Sequence, residues 1–174
     1  FVVIATIGVV FIWGYFSGKK LRSKVFYSCF IGYFVWIGGW MVVNNPHQNL
    51  YFNILAGDNR STRWEMDYWG LSNKYALEYI LKNDPSTAIK VREISFTPLE
   101  VSGKILDTKS RERLIFNVPI GDADYLVNNY RLTTKMVSEK ETLGFNKVKD
   151  FKIDGEVFLT IYKRDNEKAS SSGN

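Results

Sequence analysis

A membrane segment joined to a small mixed α/β (or α+β) domain is the fold class that this sequence predicts, and three observations predict it. No Asp or Glu occurs before Asp58. Two uncharged apolar runs flank a short basic stretch near the start. Further on, one segment with helical spacing precedes several short runs of strand-like alternation, the last two separated by an Asp-Gly step. The expected organisation is two transmembrane helices over 1–45 with a basic loop at 17–24, a domain over 46–164 closed by a β-hairpin, and a disordered tail over 165–174.

The first run, Phe1 to Phe16, is apolar on all faces and carries no charge. It is shorter than the roughly 20 residues that cross a bilayer. It begins without an initiator Met, a basic flank or a small-residue cleavage site, so it is expected to belong to a longer polytopic protein and not to be a secretory signal peptide. The second run, Val25 to Val43, has about the required length and stops at Asn44-Asn45-Pro46, where proline disfavours helix at the residue before it. Soluble core helices of this length normally show a polar stripe, and neither run has one. Gly14 and Gly18 form a GxxxG, with Gly18 read as a loop glycine.

Between the runs lie Lys19, Lys20, Arg22 and Lys24, the only charges before position 58. A short loop of positive charges belongs on the cytoplasmic side. The first helix then runs inward and the second outward, leaving everything after Asn44 extracytoplasmic, on an integral protein of a bacterial inner or plasma membrane. Tyr27 and Trp40 suit interfacial positions. Removing the four loop cations from the 23 Lys and Arg residues leaves 19 basic against 18 acidic residues. A domain so nearly neutral argues against a nucleic-acid partner, which calls for a basic face of the domain's own.

In the outer domain, Leu50 to Ala56 is a short aromatic stretch suited to the membrane interface. Ser72 to Lys82 has apolar residues at helical spacing, with Ser72 as N-cap and Asn83-Asp84-Pro85 as the stop. Ala88 to Ile94 alternates as a strand, and 98–106 reads as a short helix or turn. Arg113 to Val118 and Tyr125 to Tyr130 read as strands around a Pro119-Ile120-Gly121-Asp122 turn. The segment 132–143 is ambiguous. Lys147 to Ile153 and Val157 to Lys163 flank Asp154-Gly155, a strong hairpin signal.

The stretch from His47 to Leu81 is the most distinctive. His47, Tyr51, Phe52, Asn53, Leu55 and Gly57 form one block, and Asp67-Tyr68-Trp69-Gly70 a second. Together they resemble the junction between the last membrane helix and the C-terminal domain of bacterial integral-membrane glycosyltransferases of the GT-C class. Ala123-Asp124-Tyr125, Asn129-Tyr130-Arg131 and the closing Ile161-Tyr162-Lys163 extend the resemblance. Gln48 stands where the family often has proline, and His47 lies closer to Tyr51 than is usual there. The resemblance implies transfer of a sugar from a polyprenyl-phosphate donor to a cell-envelope glycan. It also implies a catalytic acidic residue on a far N-terminal outer loop, absent from this sequence. On that reading this stretch contributes anchoring, acceptor binding or bracing, with membrane lipid, lipid-linked donor and glycan acceptor as partners. A membrane-tethered binding or assembly module without enzymatic activity is the alternative.

Several residues are candidates for substrate binding. Glu65 and Asp67 are carboxylates beside the aromatic Tyr68 and Trp69, a combination suited to stacking and hydrogen-bonding a sugar. The structural alternative has Asp67 capping a turn while Tyr68 and Trp69 pack the domain. Arg60 and Arg63 offer guanidinium forks to a lipid-linked phosphate, or are simply solvated. Asn53 is a candidate through the resemblance. Asp122-Ala123-Asp124 is a DxD, a weak metal signal at a position where Asp is common for local hydrogen bonds. The sole histidine, His47, and the sole cysteine, Cys29, make no metal or disulfide framework, and no cofactor is expected. Asn59-Arg60-Ser61 is a glycosylation sequon. With no nucleophile elbow, phosphate loop or His/Cys pair, a self-contained hydrolase is not expected.

Overall fold

The computed structural model describes residues 2–17, 20–58, 60–131, 142 and 144–165. Gly18, Lys19, Asn59 of the sequon, nearly all of 132–143 and the tail from 166 lie outside the described residues. The chain divides into two compact units, Phe1–Asn45 and Pro46–Asn174.

The first unit holds α1 (Val2–Phe16) and α2 (Lys20–Val43). The second helix starts five residues before the apolar run does, because Lys20, Leu21, Arg22 and Lys24 are good helix formers and extend it through the basic stretch. The contacts between the helices pair residues progressively closer in sequence: Trp13 Nε1 donates to the Tyr27 hydroxyl at 2.5 Å, Phe16 stacks on Phe26, and Ser23 Oγ donates to the Phe16 carbonyl at 2.8 Å. This is an antiparallel helical hairpin. None of the described residues in either helix is buried. Among the described helices, α2 is long and apolar enough to cross a membrane, while α1 is apolar but shorter.

The second unit is a mixed α/β layer structure. It opens with two 3-10 turns, Gln48–Leu50 and Ile54–Ala56, and a short helix α3 (Arg60–Arg63). Leu50 is buried in the core, so the aromatic stretch is in part a packing element. Then come α4 (Ser72–Asn83), β1 (Ile89–Glu93), α5 (Leu99–Gly103), α6 (Thr108–Glu112), β2 (Leu114–Ile115), β3 (Tyr125–Asn128), β4 (Phe145–Ile153) and β5 (Glu156–Arg164). The sheet order is β2-β1-β3-β5-β4. The first three strands are parallel, and β5 runs antiparallel to β3 and β4. Helix α4 buries Ala76, Leu77 and Ile80, the apolar stripe that its spacing foretells. Strand alternation places Val91, Tyr125, Val127 and Ile161 on one face of the sheet, all within the buried core.

The Asp-Gly hairpin forms with Asp154 and Gly155 both at positive φ, as a two-residue turn with the correct twist requires. Its strands are longer than the alternation suggests, and β4 carries two register shifts, between Lys147 and Lys149 and between Phe151 and Lys152. Strand β2, expected to run to Val118, ends at Ile115, since Asn117 adopts φ 59° and takes the chain out of the sheet. Helix α6, unforeseen in the sequence, is capped by Asp107, whose carboxylate accepts the Ser110 amide at 3.0 Å.

At the amino end of the parallel strands, the C-terminus of α4 is tied down by Arg113. Its guanidinium donates to the carbonyls of Leu81 (3.3 Å), Asp84 and Ser86 (2.9 Å). These include orphan acceptors left at the helix end. The Asp84 carboxylate accepts the Ser86 amide at 3.0 Å and the Tyr125 hydroxyl at 2.9 Å, with Lys163 Nζ at 3.5 Å. Hydrogen bonding by Ser86 leads the effects that hold its carboxyl down at about 2. Arg113→Met removes all three carbonyl partners while keeping much of the stem. It is expected to destabilise the domain by about 1–3 kcal/mol, measured as a shift in the denaturant midpoint of the detergent-solubilised chain.

Candidate functional site

Ligands of open α/β sheets bind outside the carboxyl ends of parallel strands. Here those ends include that of β1, which leads into Ile94-Ser95-Phe96-Thr97, and that of its neighbour β3, which leads into Asn129-Tyr130-Arg131. The Asp67-Tyr68-Trp69-Gly70 turn lies against both exits. Asn129 Nδ2 donates to the Asp67 carbonyl at 3.3 Å, and the Met66 amide donates to the Tyr130 carbonyl at 3.0 Å. Asn128 and Asn129 organise the exit itself, their side-chain oxygens accepting the amides of Tyr130 and Arg131.

Asp67 is fully buried, and its two carboxylate oxygens accept the amides of Leu71 (3.1 Å) and Ser72 (2.7 Å). The N-cap position of α4 is Leu71, whose side chain makes no capping bond; the free amides there are satisfied by Asp67 and not by Ser72, which is the first helical residue. A carboxylate on free amide groups at a helix start also interacts favourably with the helix dipole. Gly70 makes this geometry possible. Its φ is +68°, and a Cβ there would fall 2.2 Å from Thr97 Cγ2. The Asn73 side chain continues the seam by donating to the Thr97 carbonyl at 3.2 Å.

With Asp67 directed inward, Tyr68 and Trp69 are presented outward. Trp69 is 70% exposed, and its ring meets Tyr68 edge-on at 5.1 Å. Arg131 lays its guanidinium over Tyr68 at 4.5 Å and over Phe96 at 4.8 Å. Phe96 is 67% exposed. Two aromatic rings and one cation thus form a flat-walled surface between the strand exits. Phe96 and the pairing of Arg131 have no local sequence signal, since three separate segments must converge to create them. On the other side of Trp69, a groove of about 250 Å³ is lined by Pro46, Leu71, Tyr75, Val101 and Ile105, with Lys74 the sole charged residue in its wall.

The remaining candidates lie elsewhere in the same unit. Glu65 is exposed, one residue before Met66. Asn53 uses its side-chain oxygen on the Leu55 amide at 3.0 Å. Arg60 donates to the Gly57 carbonyl at 3.1 Å and lies over Phe52, while Arg63 donates to the Ala56 carbonyl at 2.6 Å. Both arginines thus brace their own loop. In the DxD, Asp124 accepts the Lys90 amide at 2.8 Å, and the Arg164 guanidinium holds the carbonyls of Ile120, Gly121 and Ala123. Among the described residues, no group of three or more His, Cys, Asp or Glu side chains is placed to hold a metal ion.

His47 sits between the rings of Tyr75 (5.2 Å) and Phe158 (4.8 Å), 7% exposed, with Nδ1 unpartnered. Burial pushes its pKa below the ordinary 6.5, against the opposing pull of Asp67.

Two outcomes are expected. Gly70→Ala adds a methyl group into Thr97 at a backbone conformation unsuited to alanine, and should destabilise the domain by about 2–4 kcal/mol. Gly121→Ala, which meets open space, should leave the denaturation midpoint unchanged. For His47, the folded state favours the neutral ring, so the unfolded chain binds the proton first as pH falls. The stability it contributes is complete above pH 6.5 and is lost as pH drops from there toward the lowered folded value. Thermal unfolding measured from pH 7.5 to 5 should show a steeper loss for the unmodified chain than for His47→Phe.

Compared with models of known families, with curated proteins and with solved structures, the chain finds no match, so its site is read from its own geometry.

Proposed function

We propose that this chain is the C-terminal part of a polytopic GT-C-type glycosyltransferase. The whole protein transfers a sugar from a polyprenyl-phosphate donor to a cell-envelope glycan. The domain supplies part of the acceptor surface. Helices α1 and α2 both cross the membrane, and the domain after Asn45 stands on the extracytoplasmic side. Support for the anchor comes from two adjoining helices with no buried residue among those described, and with cations confined to the stretch before α2 and to its first turns. Cations on that stretch favour a cytoplasmic turn.

The observation that carries the acceptor-surface reading is the rigid outward display of Tyr68 and Trp69 beside Arg131 and Phe96. Sugars present faces of C–H groups that stack on aromatic rings, and hydroxyl groups that accept from a guanidinium. A buried carboxylate cap and a glycine without room for a side chain hold the display in place, and such preorganisation lowers the ordering cost of binding. The catalytic acid–base chemistry belongs to an outer loop beyond this sequence. Asp67 acts by positioning Tyr68 and Trp69, because both of its oxygens are engaged by backbone amides.

The test is sugar transfer by the whole protein in native membranes, with the acceptor varied at saturating donor. Tyr68→Ala and Trp69→Ala are expected to raise the acceptor KM about tenfold each, corresponding to about 1.4 kcal/mol of lost binding, with the donor KM unchanged. Asp122→Ala should behave as the unmodified protein does. Wild-type acceptor kinetics in all three variants would refute the acceptor-surface reading.

A further inference from the structure

We infer that the groove beside Trp69 is a docking face for the membrane itself, receiving the interfacial layer of an anionic phospholipid bilayer. This inference rests on the proposed anchoring of α2 in the membrane. The groove wall is apolar, and its outer residues remain uncovered: Ile105 is 68% exposed and Val101 is 60% exposed. An uncovered set of large apolar side chains next to an exposed Trp marks a contact surface, since single exposed residues are ordinary but contiguous ones are not. The wall contains no acidic residue, and Lys74 is its one cation; its solvent-exposed pairing with Glu78 at 3.5 Å is weak, so an anionic headgroup can compete for that charge. Trp69 supplies an amphipathic ring of the kind enriched at headgroup depth.

The covalent chain selects a bilayer as the occupant. Pro46 lines the groove and follows Val43, the last residue of α2, by three positions. Three extended residues reach at most about 11 Å. Whatever the orientation of the domain, one wall of the groove is held within that distance of the end of the apolar helix. A soluble peptide or glycan would have to compete for this surface with lipid that is permanently present at high local concentration.

The test uses the full chain reconstituted in vesicles of equal parts phosphatidylglycerol and phosphatidylcholine. An environment-sensitive fluorophore is placed on one cysteine at a time. The native Cys29 on α2 reports insertion, while Ile105→Cys and Asp122→Cys, each in a Cys29→Ala background, report the groove and the turn before β3, at the amino end of the parallel strands. Both replaced side chains are exposed, so labelling leaves the core intact. The expected result is strong quenching by spin-labelled phospholipid at Cys29, and quenching at position 105 that is severalfold that at position 122. Lys74→Glu should reduce the quenching at 105 in the anionic vesicles and leave it unchanged in pure phosphatidylcholine. If the 105 probe behaves like the 122 probe while Cys29 is quenched, the groove inference is overturned and the anchoring stands. If Cys29 is not quenched, the anchoring is overturned and the inference falls with it.

Discussion

The architecture of the second unit depends on one buried carboxylate. Asp67 receives the first free amides of α4, and its own carbonyl receives the side chain of Asn129 at the exit of β3. Helix and sheet are thereby joined through a single residue at the end where the parallel strands terminate. A helix start left without acceptors inside a protein costs far more than one in water, because no solvent substitutes for the lost partner. The ring of Tyr75, the buried His47 and the strand exits all lie near this junction, so its geometry sets theirs.

Two kinds of surface flank the junction, and their difference follows from what each strand exit brings. Arg131 arrives from β3 and Phe96 from β1, and together with Tyr68 they make a cationic aromatic face. On the α5 side, Val101 and Ile105 make a mainly apolar face whose one cation is Lys74. Trp69 stands at the boundary. The opposite end of the sheet is occupied by structural polar contacts: Arg113 holds the end of α4, and Arg164 holds the turn before β3. Exposed aromatic side chains gather at one end of the strands and fastening contacts at the other.

Much of this fold is legible in the sequence wherever a signal is local. The Asp154-Gly155 turn, the stripe of α4 and the alternation of β1 each depend on neighbours within a few residues. Strand β2 could not be delimited, because the left-handed conformation of Asn117 is dictated by where the chain must go next. The capping of α4 is hidden for a similar reason: Ser72 has the right chemistry at the helix start, but the folded turn around Gly70 delivers the Asp67 carboxylate from five residues back. The Tyr68–Arg131–Phe96 arrangement was invisible, as it joins three segments far apart in the chain. Asp67 was visible as a candidate, and only its burial reveals which of its two readings the geometry favours.

The irregular hairpin has one more consequence. Among the described residues, strand β4 lies at the border of the sheet, with one row of backbone groups lacking a neighbouring strand. Such a border invites another chain to add itself by hydrogen bonding. Lys147, Lys149 and Lys152 along this strand, with register shifts on either side of its centre, make that addition unfavourable through charge repulsion and local twist. Wherever copies of the chain meet at high concentration, the same irregularity keeps them from zipping into aggregates.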